Sequence, residues 1–180
     1  PGRLVVEGNY PYQDQAVLRW EIPNPMELTV RFREPAGAAT LEVIVDGARQ
    51  PLRRKSTGYL ELKRTWRPEE HVVVQFDFPG KAHFHQGRDG VTWVAFTRGP
   101  LTLAQDVVKQ TDQPEVVLAL EEGRIDGKSL FEPLTPAKAD GLPRWRLTAA
   151  GHRNVILQPY ASVGAAGGMV RTMFPNRFVK

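Results

Sequence analysis

The segment Met26–Arg33 constrains the fold more than any other stretch. Met26, Leu28, Val30 and Phe32 alternate without a break with Glu27, Thr29, Arg31 and Arg33. A two-residue period puts one set of side chains on each face of an extended strand, whereas helical faces repeat every 3.6 residues. The pattern recurs. Leu18, Trp20 and Ile22 share a face opposite Arg19 and Glu21, and Leu41–Val45 runs into Asp46-Gly47, a hairpin turn pair. Leu60 and Leu62 point inward from Tyr59–Arg64, and Val72, Val74, Phe76 and Phe78 line one face of the next segment. A strand with one apolar face must bury it against a second layer. The succession predicts an all-β chain of antiparallel β-sandwich modules, jelly-roll-like and two in number, packed together.

Sixteen glycines and fifteen prolines in 180 residues suit such a chain, which needs many turns. Gly8-Asn9-Tyr10-Pro11-Tyr12 is the first turn cluster, closing a short opening strand at Leu4-Val5-Val6. Gly80–Gly90 is polar and is the candidate linker, so the expected modules are residues 1–86, a β-sandwich of the middle type, and 87–180, a second β-rich C-terminal module. Val91–Val107 begins the second. Its apolar alternation breaks at Arg98-Gly99-Pro100 and resumes at Leu101, which predicts a strand that bends or passes between sheets. Lys109–Glu122 is compatible with a strand or one short helix, and Arg124–Leu142 is loop-like. Trp145 and Leu147, then Val155–Leu157, then Met169–Phe174 supply the last strands.

Most catalytic chemistries find no footing. The chain has no cysteine, which removes disulfides, thiolate metal sites and cysteine nucleophiles. His83 and His85 would share a strand face, but with only His71 and His152 besides, no metal site is expected. Gly164-Ala165-Ala166-Gly167-Gly168 lacks the spacing of a phosphate cradle. There is no Gly-x-Ser-x-Gly, and Glu69-Glu70 and Glu121-Glu122 read as solvated turn charges. No catalytic residue, metal or cofactor is therefore expected. The net charge of +4 is scattered, with Arg53-Arg54-Lys55 the one tight cluster, so nucleic acid is not an expected partner. No run reaches the ~20 apolar residues of a membrane span. Pro1-Gly2-Arg3-Leu4 has neither an initiator methionine nor a signal-peptide pattern, as a piece excised from a longer protein would show.

The aromatic side chains carry the functional reading. A sugar ring presents an apolar face that lies flat on an exposed phenol or indole, while neighbouring polar side chains bond its hydroxyls. Tyr10 and Tyr12 in the first turn, and Trp66 beside Arg64 and Arg67, have that local chemistry and are the candidate carbohydrate-binding residues. Trp20 and Trp93, in alternating strands with apolar neighbours, are expected in the core.

The order of several short motifs also resembles a known module. Asn9-Tyr10-Pro11-Tyr12, Leu28–Arg33 and Asp46-Gly47 are followed by Gly58–Trp66, Ala95–Leu101 and Leu157–Ala161. Together they are similar to the β-sandwich region after the catalytic barrel in the β-L-arabinofuranosidase-like glycoside hydrolases, family 127 and relatives. The resemblance covers nearly the whole chain. It implies a catalytic (α/α) barrel in the parent chain, where a cysteine nucleophile and a cysteine-rich zinc site would sit; none of those positions exists here. Arg67-Pro68-Glu69-Glu70 replaces the family's glycine-and-acid turn, and Ala161-Ser162-Val163-Gly164 is poorer in aromatics than the family's counterpart. The resemblance implies a non-catalytic accessory module of an enzyme degrading plant polysaccharide, with an arabinose- or xylose-containing glycan as ligand. The alternative is a structural module that buttresses the barrel or mediates dimerisation and has no ligand.

Overall fold

The computed structural model describes residues 2–107, 116–122, 125–127, 129–135, 140–148, 155–164, 167 and 169–177. The chain divides into two compact units, Pro1–Phe78 and Pro79–Lys180. Both are built from antiparallel strands, and no helix longer than a 3-10 turn at Tyr160–Ser162 occurs among the described residues.

The first unit contains β1 (Arg3–Glu7), β2 (Gln15–Glu21), β3 (Met26–Arg33), β4 (Thr40–Val45), β5 (Ala48–Arg49), β6 (Arg53–Arg54), β7 (Tyr59–Trp66) and β8 (His71–Asp77). They form a five-stranded sheet in the order β1-β2-β8-β4-β5 and a three-stranded sheet in the order β3-β7-β6. The inward sets of the alternating segments meet in one core. Leu18, Trp20, Val43, Val72 and Val74 come from the larger sheet, and Phe32, Leu60, Leu62 and Trp66 from the smaller. The Trp20 and Trp66 rings pack at a centroid distance of 5.1 Å. Asp46-Gly47 makes the expected hairpin: Val45 pairs with Ala48, and both turn residues have positive φ (47° and 82°), the geometry that matches strand twist.

The second unit contains β9 (Gly80–Gln86), β10 (Thr92–Arg98), β11 (Leu101–Asp106), β12 (Phe131–Leu134), β13 (Arg144–Leu147), β14 (Ile156–Pro159), β15 (Val170–Arg171) and β16 (Met173–Asn176). The sheet runs β12-β13-β14-β11-β10-β16, with β9 on the other edge of β10 and β15 beside β11. Val94, Phe96, Leu103, Trp145, Leu157 and Phe174 lie at its core.

Three sequence expectations are corrected here. The linker expected over Gly80–Gly90 is, over Gly80–Gln86, a strand paired with β10 along its whole length, so the compact units part at Phe78/Pro79. Its polar residues mislead because His83 and His85 occupy the exposed face, while Ala82 and Phe84 turn toward the core. The Arg98-Gly99-Pro100 break is neither a bend nor a crossing between sheets. Arg98 pairs with Leu101, so Gly99-Pro100 is a two-residue hairpin turn, with Gly99 at φ 53° in the first turn position. Trp93 is half-buried, unlike Val94 and Phe96 on the opposite face.

Val116–Leu120 is extended. Val116, Leu118 and Leu120 are buried, Leu118 N–H donates to the Pro175 carbonyl at 2.8 Å, and Arg177 N–H donates to the Leu118 carbonyl at 2.8 Å. The buried Asn176 amide then stands in for a strand neighbour: Leu120 N–H donates to its Oδ1 (2.8 Å), and its Nδ2 donates to the Leu120 carbonyl (3.0 Å). The positions 109–115 of the Lys109–Glu122 segment lie outside the described residues, as do His152 and, in the glycine-alanine run, Ala165, Ala166 and Gly168.

Candidate functional site

The five residues expected to bind sugar fall into two places. Arg64, Trp66 and Arg67 come together at the end of β7, where they serve the fold. Leu60, Leu62, Arg64 and Trp66 project from the same face of one strand, so Trp66 continues the buried row and is fully enclosed. Its Nε1 donates to the Leu28 carbonyl at 3.2 Å, and the Arg64 guanidinium lies 5.2 Å from its ring centroid. Arg64 donates to the buried Glu70 carboxylate at 2.7 Å, whose other oxygen accepts from Arg67 N–H at 2.9 Å. A buried carboxylate is tolerated only when its oxygens are bonded, and these contacts satisfy it while fixing the turn into β8. Trp66 therefore offers no ring face to a ligand. The expectation that it is a turn aromatic fails because β7 extends two residues beyond Arg64.

Tyr10 and Tyr12 lie in the turn after β1, closed by Tyr12 N–H and Gln13 N–H donating to the Asn9 carbonyl. Tyr12 is half-buried. Tyr10 is 43% exposed, but its ring packs on Phe76 at 5.3 Å and on Phe78 at 6.4 Å, and partial burial raises its phenol pKa. Phe76 in β8 and Glu70 just before it are six residues apart, about 20 Å at strand rise, so the tyrosine turn and the Trp66 cluster sit toward opposite ends of the strand.

A different surface has the chemistry the sequence reading sought elsewhere. On the outer face of the β3-β7-β6 sheet, an open hollow of about 490 Å³ is lined by Arg31, Lys55, Ser56, Thr57, Tyr59 and Glu61. Its setting follows from cross-strand register, with Arg33 and Arg53 beside the lining residues and not among them. Arg31 and Arg53 flank Glu61 on either side, forming one row across three strands. Arg33 stands opposite Tyr59, whose carbonyl accepts from Lys55 N–H at 2.8 Å, forming a second row. Arg31 Nε donates to Glu61 at 2.9 Å, and Lys55 Nζ lies 3.2 Å from its other oxygen. Desolvation alone would raise the Glu61 pKa, but the hydrogen bonds and charges of Arg31 and Lys55 outweigh it and hold the carboxyl below its ordinary range. Tyr59, at the rim, is 36% exposed. Sequence reasoning passed over this place because Tyr59 reads simply as the first outward residue of a strand; the signal that could have found it is the density of outward cations at positions 31, 33, 53 and 55.

His83 and His85 do share the exposed face of β9, and His83 Nε2 lies 2.8 Å from Thr97 Oγ1. No cluster of three or more metal-ligating side chains occurs among the described residues.

The fold thus defines a chain of two antiparallel β units, the first a sandwich with a polar, tyrosine-rimmed hollow on its smaller sheet. Residues 3–78 match the family described as Beta-L-arabinofuranosidase, GH127 middle domain. This chain is therefore similar, as its motifs implied, to the β-sandwich region of the GH127 arabinofuranosidases. Three solved structures share the fold. A protein described as a glycoside hydrolase is 19% identical, with a TM-score of 0.67 over 96% of this chain and 32% of its own. A GH127 β-L-arabinofuranosidase from Geobacillus stearothermophilus T6 is 16% identical, with a TM-score of 0.66 over 98% and 31%. A further GH127 β-arabinofuranosidase is 18% identical, with a TM-score of 0.68 over 97% and 31%. The chain spans about a third of the length of these proteins. A search of the curated proteins finds no match.

Proposed function

We propose that the chain is a non-catalytic accessory region of a GH127-type glycoside hydrolase, and that it binds carbohydrate on the outer face of the β3-β7-β6 sheet. The observation that carries the binding reading is the pairing of an accessible Tyr59 ring with Arg31, Lys55, Ser56, Thr57 and Glu61 in one open hollow. A sugar needs an apolar platform for its ring, donors and acceptors for its hydroxyls, and access from solvent, and this hollow supplies all three. Of the residues expected from the sequence, Tyr10 keeps an exposed edge and is a second contact for a longer chain. The parent protein's barrel, its arabinose- or xylose-containing substrate and its activity are part of the same proposal, since two-thirds of the matching proteins' length has no counterpart here.

Affinity electrophoresis of the intact chain through gels containing arabinan, arabinoxylan or xylan tests the reading. Retardation by at least one of them, abolished by Tyr59→Ala, is expected. Migration unaffected by all three overturns it.

A specific observation favours the second reading, in which the region buttresses a partner domain. Leu4 and Val6 lie on the core-side face of the edge strand β1, opposite Trp20 and Leu18, yet are 40% and 64% exposed. Apolar side chains left open on an edge strand are a surface for packing against another element. The two readings use different faces of the unit: no retardation by any of the glycans, together with self-association of the chain at high concentration that Leu4→Ser with Val6→Ser abolishes, would favour the second.

A further inference from the structure

We propose that the ligand of the β3-β7-β6 face is an acidic glycan, a uronate-bearing oligosaccharide, rather than a neutral one; this rests on the carbohydrate-binding reading. The two cross-strand rows, Arg31–Glu61–Arg53 and Arg33–Tyr59–Lys55, put four cations and one carboxylate around one tyrosine. Neighbouring strands lie about 4.8 Å apart, and residues two apart along a strand about 7 Å, so the patch measures roughly 10 by 7 Å. Within it Arg31 and Lys55 share Glu61. Arg33 and Arg53 have no carboxylate partner among the described residues, and the Arg67 guanidinium, away from this face, has none either, whereas Arg3, Arg19, Arg49, Arg54 and Arg64 of the same unit each have one.

Charge of one sign gathered on one face, with two of its four cations left without an ion pair, is a surface prepared for an anion. The choice of anion follows from what else is present. Tyr59 offers a stacking face, which a bare anion does not need. Glu61 sits in the middle of the cations and accepts hydrogen bonds, which suits sugar hydroxyls and repels a closely spaced phosphate backbone. A uronate ring matches this set: its apolar face lies on Tyr59, its hydroxyls reach Glu61, Ser56 and Thr57, and its carboxylate meets Arg33 or Arg53. The fork of an arginine bonds such a carboxylate through two parallel N–H groups, a charge-assisted contact.

The test titrates the full chain by calorimetry with an oligogalacturonide and with a neutral arabino-oligosaccharide of equal length, and adds a single-stranded DNA of similar charge. The oligogalacturonide is expected to bind at least 10-fold more tightly than the neutral sugar, and to weaken markedly between 50 and 500 mM salt while the neutral sugar does not, as screening requires. Arg33→Gln combined with Arg53→Gln should lower oligogalacturonide affinity 10-fold or more and leave the neutral sugar within twofold. Arg49→Gln, on the other sheet, should leave both unchanged, and circular dichroism shows that each variant is folded. Equal affinity for the two sugars, or unaltered uronate binding in the double variant, overturns this inference while leaving carbohydrate binding standing. DNA binding as tight as the oligogalacturonide also overturns it. Binding of neither sugar overturns the carbohydrate reading itself.

Discussion

Replacing Trp66 by alanine separates the structural account of the Trp66 cluster from a surface-site account. A tryptophan side chain removes about 150–250 Å² from water on full burial, and at about 25 cal/mol per Å² that is worth about 4–6 kcal/mol. Trp66 is fully enclosed between the sheets and packs on Trp20. Truncations of buried aromatics cost about 3–5 kcal/mol, cavity included. The Leu28 carbonyl also loses its donor, about 1 kcal/mol more. A loss near 5 kcal/mol is therefore expected, comparable with the whole stability of a small domain. Urea denaturation of the full chain, followed by far-UV circular dichroism, should show the first unit's transition shifted strongly or already lost in water. Trp66→Phe, which keeps a ring and gives up the Leu28 bond, should cost about 1–2 kcal/mol. Tyr59→Ala, at the rim of the hollow, should stay within about 1 kcal/mol. A Trp66→Ala cost as small as that of Tyr59→Ala would refute the reasoning and return the indole to the surface.

The remaining predictions concern other contacts. Asn176→Ala should destabilise the second unit by about 2–4 kcal/mol in the same experiment, because it leaves the N–H and C=O of Leu120 buried and unpaired. Gly99→Ala should cost about 1 kcal/mol, since an alanine resists the 53° φ that the Gly99-Pro100 turn uses. In the first unit, the hydrogen bond from Arg54 to Glu34 and that from Arg3 to Glu21 hold both carboxyls below their ordinary range, outweighing desolvation. A depressed folded-state pKa contributes stability above the unfolded carboxylate value, about 4.3, and loses it as pH falls through the folded value. Melting temperature should accordingly drop on acidification below about pH 4.3, and a Glu34→Gln, Glu21→Gln variant should show a shallower drop.

Strands with strict alternation were legible because a buried face writes its period into the chain. Met26–Arg33 and Leu41–Val45 needed no partner to be recognised, and Asp46-Gly47 carries its own turn chemistry. β9 was hidden because both of its histidines face solvent and its inward residues, Ala82 and Phe84, make too short an apolar signature. Trp66 was misread for want of one step: the row Leu60, Leu62, Arg64, Trp66 already predicts an inward ring, but an arginine within the row looked like the end of the strand. Its guanidinium is in fact what covers that ring. Asn176 leaves no sequence trace, since a single amide replacing a strand neighbour has no period. No single segment of the chain spells out the hollow, although outward cations at positions 31, 33, 53 and 55 hint at it. Arg31 and Glu61 are thirty residues apart, and only the pairing of β3, β7 and β6 places Tyr59 among four cations.

The central claim is that a sugar sits on the outer face of that three-stranded sheet. Amide chemical-shift mapping of the isotopically labelled chain, titrated with arabino-oligosaccharide to millimolar concentration, addresses it most directly. The account predicts saturable shifts concentrated at Arg31, Lys55–Tyr59 and Glu61, absent in Tyr59→Ala. Shifts confined to the β1 edge around Leu4 and Val6, or none anywhere, would contradict it.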